Sequence, residues 1–214
     1  MGLSRWQTPL SLWARKTGKI PEDPLSNFEA KEIGLELEDF VARKFQRKTG
    51  VVVRRQPGEY RHPVYPYMVG HPDRLILNGE ELLEAKTTSA WNLKEWERES
   101  IPQEYVLQVI WYLGLTKRSS GWIAVLIGGQ KFLYRQIGFD QELFKKMVES
   151  ARVFWEEFIL KDVPPVAMAQ DQETLALLFP ESQEQTIRFE GEKAQEIDRL
   201  LSERAALIRG VKTT

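Results

Sequence analysis

Asp73, Glu84 and Lys86 are the residues whose types and spacing carry the clearest chemistry in this chain. They flank the stretch RLILNGEELL, where Asn78-Gly79 sits between two apolar runs, a strong β-hairpin signature. With a two-residue turn, Leu77 pairs with Glu80, Leu75 with Leu82 and Asp73 with Glu84. Side chains alternate along a strand, so Lys86 shares the face of Asp73 and Glu84. A four-residue loop would set Asp73 opposite Lys86 and still keep that face, because only an odd shift moves side chains across a sheet. In the first register two carboxylates have Cβ atoms about 5 Å apart, which is unfavourable without a compensating charge. A divalent cation compensates them, and the Ala85 carbonyl can add a neutral oxygen ligand. Such a centre polarises a phosphodiester and stabilises charge on the attacking and leaving oxygens. Lys86 would orient or help deprotonate the attacking water and neutralise the charge that develops. The plain alternative is a surface hairpin with solvated Glu84 and Lys86, Asp73 merely ending a turn.

The composition narrows the metal. With no cysteine there is no disulfide framework, thiol nucleophile, thiolate-held cluster or cysteine-ligated zinc. Two histidines, His62 and His71, are too few for a His-rich zinc or nickel site. Carboxylates and carbonyls remain, and hard oxygen sites select magnesium, manganese or calcium. The net charge of −1, from 30 basic and 31 acidic residues, neither favours nor excludes nucleic acid, since a cleft can be locally basic. A length of 214 residues fits one domain with a terminal extension, and no apolar run approaches a membrane span or a signal sequence. The cytoplasm is the expected compartment.

The elements that must hold these residues read as follows. Thr8 and Pro9 open a short helix that stops at Gly18. A longer helix covers about 27–49, with Ile33, Leu37, Phe40, Val41 and Phe45 on one stripe and Gly34 hinting at a close backbone approach. VVVRR is a strand, the hairpin follows, and a polar loop over 87–100 carries Trp91 and Trp96. A helix over about 102–115, a second hairpin turning at Gly128-Gly129, and a helix over about 140–160 complete a core expected to span 1–165. Residues 166–214 read as an extension packed on that core, with a short strand near 186–189 and a helix over about 192–208. The order implies an α/β fold, a mixed central β-sheet flanked by helices.

The run GHPD, ten residues, then EAK matches the PD-(D/E)xK nuclease signature. The wider chain resembles YqaJ-type phage recombinase nucleases, relatives of lambda exonuclease. TPLSLWARKTG, GLELEDFVARKFQRKTG, the hairpin, IPQEYVLQVIWYLGLT, FW and PP carry that resemblance in the family's order. It implies a restriction-endonuclease-like core. It also implies Mg²⁺ (or Mn²⁺) held by Asp73, Glu84 and the Ala85 carbonyl, with Lys86 as the catalytic lysine. The family's helix glutamate falls on Glu38, which would reach the metal directly or through water; a solvated helix residue is the alternative. The family's QxxxY pattern falls on Gln108 and Tyr112, one helical turn apart, where they would position DNA phosphate or the lysine. Gln103 is a further DNA-binding candidate one turn earlier, and Arg54, Arg55 and Arg61 form a basic cluster that would meet phosphates or remain a solvated edge.

The activity implied is hydrolysis of DNA phosphodiester bonds, as an exonuclease resecting double-stranded ends for recombination. An endonuclease on the same fold and an inert DNA-binding or assembly module are the other readings. The expected partners are double-stranded DNA, further copies of the chain (a trimer by resemblance) and a single-strand annealing protein. Relatives carry an Arg- and Ser-containing segment, ahead of the motif that residues 2–6 resemble, that grips terminal phosphate; this sequence starts inside that motif. Digestion polarity and end recognition are therefore left open.

Overall fold

The first helix, α1 (Pro9–Lys16), starts where Thr8 and Ser11 exchange side-chain-to-backbone hydrogen bonds in a capping box, with Pro9 in the first turn. In this computed structural model all residues are described except 1–3, 5–6, 22–27, 56–57, 78, 98–100, 182–189 and 212–214. Helix α2 (Phe28–Thr49) follows, then strands β1 (Val53–Arg55), β2 (Tyr60–Arg61), β3 (Val69–Gly70), β4 (Arg74–Ile76) and β5 (Glu81–Thr88). Next come α3 (Leu93–Glu97), α4 (Gln103–Thr116), β6 (Ser120–Ile127), β7 (Lys131–Gly138) and α5 (Gln141–Phe154). The chain ends in α6 (Gln172–Leu178) and α7 (Glu192–Val211).

Five strands form one mixed sheet in the order β1-β4-β5-β6-β7, and β2 with β3 makes a separate ribbon. All neighbours in the large sheet are antiparallel except β5 and β6, which run parallel. A parallel pair needs a crossover, and α3 with α4 supply it. The sheet carries helices on both faces. Leu75, Leu82, Ile123 and Val125 face α4 through Val109, Ile110 and Leu113. Leu83, Ala124 and Leu126 face α2 through Val41, Ala42 and Phe45. Gly121 lets α4 approach: a Cβ there would lie 3.0 Å from Val109 and Leu82.

Four sequence-based expectations change on contact with the fold. The α2 stripe is narrower than predicted, since Ile33 and Phe40 are exposed while Val41, Ala42 and Phe45 bury. Gly34 marks no close approach; its Cβ would meet only the Thr87 hydroxyl, at 3.9 Å. The polar loop over 87–100 begins as strand, because β5 runs to Thr88, and continues through a 3-10 turn at Ala90–Asn92 into α3. There Trp96 anchors in the core at 2% exposure whereas Trp91 stands 92% exposed. The helix over 140–160 ends in a π-helical turn, Trp155–Ile159. The Asn78 position, the start of α2 at Asn27 and the strand near 186–189 lie outside the described residues.

Residues 1–178 form one compact unit and 179–214 another. Residues 166–178, read above as extension, lie in the first unit because Leu175 and Leu178 pack on Leu10, Trp13 and Ala14. Among the described residues no helix is long and apolar enough to cross a membrane.

Candidate active site

The hairpin takes the first of the two registers. Leu75 pairs with Leu82 and Arg74 with Leu83, so Asp73 falls opposite Glu84. Pro72 explains what happens beyond that pair. Residues 72 and 85 would form the next hydrogen-bonded rung, but proline has no N–H to give. The other half of that rung goes to the Asp73 carboxylate, whose Oδ2 accepts from the Ala85 N–H at 2.8 Å. The Ala85 carbonyl leaves the strand on the same side as its N–H, and Pro72 has nothing to offer it. A neutral oxygen is thereby left facing the Asp73 side of the strand.

Glu84 is buried at 2% exposure. Its Oε1 accepts from Lys86 Nζ at 2.7 Å and from Gln108 Nε2 at 2.8 Å. Its Oε2 has no hydrogen-bond partner. A buried carboxylate oxygen without a donor costs on the order of 1–3 kcal/mol or more. Gln108 also donates to the Tyr112 hydroxyl at 3.0 Å, and Lys86 lies 5.4 Å from the centre of the Tyr105 ring. Helix α4 thus supplies three side chains to the strand site, spaced so that one turn of helix returns each to the same face.

The electrostatics follow from this burial. Burial pushes the Glu84 carboxyl up to about 7, opposed by Lys86 and reinforced by the charges of Asp73 and Glu38. Asp73 rises to about 6, again mainly through burial, with the Ala85 N–H and Lys86 pulling it back. For Lys86, burial favours the neutral amine, but Glu84 and Asp73 together outweigh it and hold the lysine above its ordinary value. Lys86 is therefore a cation here. Burial likewise raises Tyr112, so it remains a neutral phenol.

Glu38 arrives from the other face of the sheet. It pairs with Nη1 of Arg74, and the neighbouring Asp39 pairs with Nη2. The same Nη1 donates to the Asp73 carbonyl at 2.6 Å. Among the described residues no group of three or more acidic or histidine side chains is gathered closely enough to hold an ion by itself. The donor set still fits a hard cation: two carboxylates above their ordinary range, an orphaned Glu84 oxygen, and beside them the Ala85 carbonyl, to which Pro72 can donate no N–H.

The other predicted residues are not brought together with this centre. Gln103 is exposed in the first turn of α4. Arg54 and Arg55 are exposed on the edge strand β1. Arg61 sits on the separate ribbon, where it pairs with Glu59 and donates to the Pro66 carbonyl at 2.8 Å. His71 is exposed, with its Nε2 3.5 Å from Glu59. What sequence reasoning missed is Arg74, Asp39 and Tyr105. A signal for the first existed: an arginine at an inward position of a buried strand requires carboxylates from the facing layer. Beside Lys86 and Gln108 opens a groove of about 840 Å³ walled by α1, α4 and α5, with Trp111, Met147 and the stacked pair Tyr67 and Trp155 among its lining.

Residues 1–119, more than half of the chain, match the family described as YqaJ-like viral recombinase domain. The chain belongs to that family. This YqaJ-like chain is 42% identical over 167 residues to the uncharacterized protein YqaJ of Bacillus subtilis (strain 168), covering 77% of its own length and 52% of the relative's. It thus spans about half the length of the curated relative it matches. Its fold matches the crystal structure of the alkaline exonuclease LHK-Exo from Laribacter hongkongensis with a TM-score of 0.57 at 17% identity, over 71% of this chain and 88% of that one. LHK-Exo in complex with dAMP gives 0.58 at 20% identity, over 72% and 78%. A phage-related exonuclease from Haemophilus somnus 129PT gives 0.55 at 14% identity, over 70% and 80%. At these identities the likeness is one of fold: a five-stranded mixed sheet between helices.

Proposed function

We propose that this YqaJ-like chain is a divalent-metal-dependent deoxyribonuclease, and within that class an exonuclease that resects double-stranded DNA ends for recombination. The observation that carries the reading is the unpartnered Oε2 of buried Glu84, opposite Asp73 and on the face of Lys86. A protein retains such an oxygen at a cost unless something occupies it, and a cation is the partner that two facing carboxylates select. Asp73, Glu84 and the Ala85 carbonyl would hold Mg²⁺ or Mn²⁺, with Glu38 contributing directly or through water. Bound there, the ion supplies Lewis acidity toward a phosphodiester oxygen.

The remaining steps belong to the chain itself. Lys86, held cationic by Glu84, neutralises charge on the phosphate as the attacking oxygen adds. Gln108 fixes the Glu84 carboxylate and the Tyr112 hydroxyl at once, so loss of that amide loosens both. The groove beside Lys86 offers Trp111, Tyr67 and Trp155 as apolar walls for a nucleotide strand. The solved relatives of like fold are described as exonucleases, one of them holding dAMP, which agrees with a nucleotide-sized site. A homo-oligomer, trimeric by resemblance, and a single-strand annealing protein are the partners this role calls for.

The test is Mg²⁺-dependent release of nucleotides from linear duplex DNA, with a covalently closed circle alongside. Nucleotide release from the linear form and a resistant circle are expected; a nicked or linearised circle would replace the exonuclease by an endonuclease. Full activity in Lys86→Ala or Asp73→Asn would sink the assigned chemistry.

A further inference from the structure

We infer that Arg74 is a positioning residue of the site, fixing the Glu38 carboxylate against Asp73 so that a helix from the opposite face of the sheet can serve the metal centre. The inference rests on the nuclease reading above. Strand alternation points Asp73 and Arg74 to opposite faces, Asp73 toward α4 and Arg74 toward α2. Helix α2 is fastened to the sheet by Val41, Ala42 and Phe45, which follow Glu38 in the helix. Earlier in the helix, a Cβ at Gly34 would meet the Thr87 hydroxyl at 3.9 Å, a polar neighbour rather than an apolar one. A glutamate has several rotamers, and a polar partner in fixed position selects among them.

Arg74 makes the choice. It is 3% exposed, and a single atom, Nη1, donates both to Glu38 Oε1 and to the carbonyl of Asp73. One nitrogen therefore ties the helix carboxylate to the backbone of the strand carboxylate. Nη2 takes Asp39, which blocks rotation of the guanidinium about its own axis. Lysine cannot copy this arrangement, because only the planar fork addresses three acceptors in fixed directions. Glu38 is thereby placed close enough for its charge to be felt at both Asp73 and Glu84. Groups that orient metal ligands in this manner commonly matter 10–100-fold for metal affinity.

A purely structural ion pair is the rival explanation, and a double-variant cycle separates the two. Mn²⁺ binding to the full chain is measured by calorimetry without DNA, for wild type, Arg74→Met, Arg74→Lys, Glu38→Gln and the Arg74→Met/Glu38→Gln pair. If Arg74 acts through Glu38, Arg74→Met and Glu38→Gln each weaken Mn²⁺ binding by about tenfold or more. The double variant is then no weaker than the worse single variant, and Arg74→Lys falls between wild type and Arg74→Met. Mn²⁺ binding in Arg74→Met as tight as wild type, or tighter, overturns the inference, as do losses that multiply in the double variant. Should Arg74→Met fail to fold, Arg74→Lys and the double variant decide, since the latter removes both charges of the buried pair. A wild-type chain that neither binds Mn²⁺ nor cleaves DNA takes down the nuclease reading itself; a wild type that does both, beside an unaffected Arg74→Lys, takes down only the role of Arg74.

Discussion

Acidification should weaken divalent-ion binding far more steeply here than at an ordinary surface carboxylate pair. A metal takes the deprotonated forms, so each ligand that still carries a proton weakens apparent binding by a factor of 1 + 10^(pKa − pH). With Glu84 at about 7 and Asp73 at about 6, those factors at pH 6 are about 11 and about 2, and their product is about 20. At pH 8 the product is close to 1, roughly 1.1. The Mn²⁺ dissociation constant should therefore rise about 20-fold from pH 8 to pH 6, equivalent to about 2 kcal/mol. Carboxylates at their ordinary values would change it by less than about 5% over the same interval. Calorimetry in two buffers of different ionisation enthalpy gives both the constant and the protons released, which should be about 1.4 per ion at pH 6 and about 0.1 at pH 8. A constant that moves less than twofold, or binding without proton release at pH 6, would refute the electrostatic account of Asp73 and Glu84.

The same pair bears on stability without metal. Folded-state values above the unfolded ones mean that protonation favours the fold, so stability is present at low pH and is lost as pH rises through about 6 and about 7. Melting of the metal-free protein should thus occur about 4–7 °C higher at pH 6 than at pH 8, and differential scanning calorimetry checks it; an unchanged or reversed order contradicts it. Gln108→Leu removes the donors to Glu84 and Tyr112, and should lower nuclease turnover about tenfold while costing only about 1 kcal/mol of stability by urea titration. Gly114→Ala drives a methyl group into the Phe144 ring and should destabilise the fold by about 1–3 kcal/mol, read as a drop in urea midpoint at unchanged metal affinity.

How much of this was legible in the letters depends on the range of the interaction. The face shared by Asp73, Glu84 and Lys86 was readable because Leu75 and Leu82 are inward by period 2 and only even shifts keep them inward, while the choice between the two registers waited for the fold. The capping of α1 by Thr8, the two core-facing helices and the second hairpin at Gly128-Gly129 were readable for the same local reasons. The α2 stripe was over-read, since periodicity marks a candidate apolar face but not the width that the sheet covers. Ile33 and Phe40 sit on the right period and past the edge of that cover. Arg74 was overlooked for a different reason. Its meaning lies in carboxylates 35 and 36 positions away, brought together by a helix crossing the opposite sheet face. The role of Pro72 was likewise hidden, because a missing N–H matters only once the strand opposite is known.

The start of the described chain and its distant downstream part are fastened by one carboxylate. Asp171, fully buried, takes the Thr8 hydroxyl on one oxygen and the Met168 amide on the other. Trp13 meanwhile donates its indole N–H to the Phe158 carbonyl, in the π-helical turn, at 3.2 Å. A nick near residue 166 would leave every residue of the β4–β5 hairpin covalently in place, yet would free α6 to depart and bare Leu10 and Trp13 to water. One wall of the groove beside Lys86 is α1 itself. A proteolytic scar remote from the carboxylates would therefore unsettle one wall of that groove, while the strand that carries the lysine kept its covalent frame.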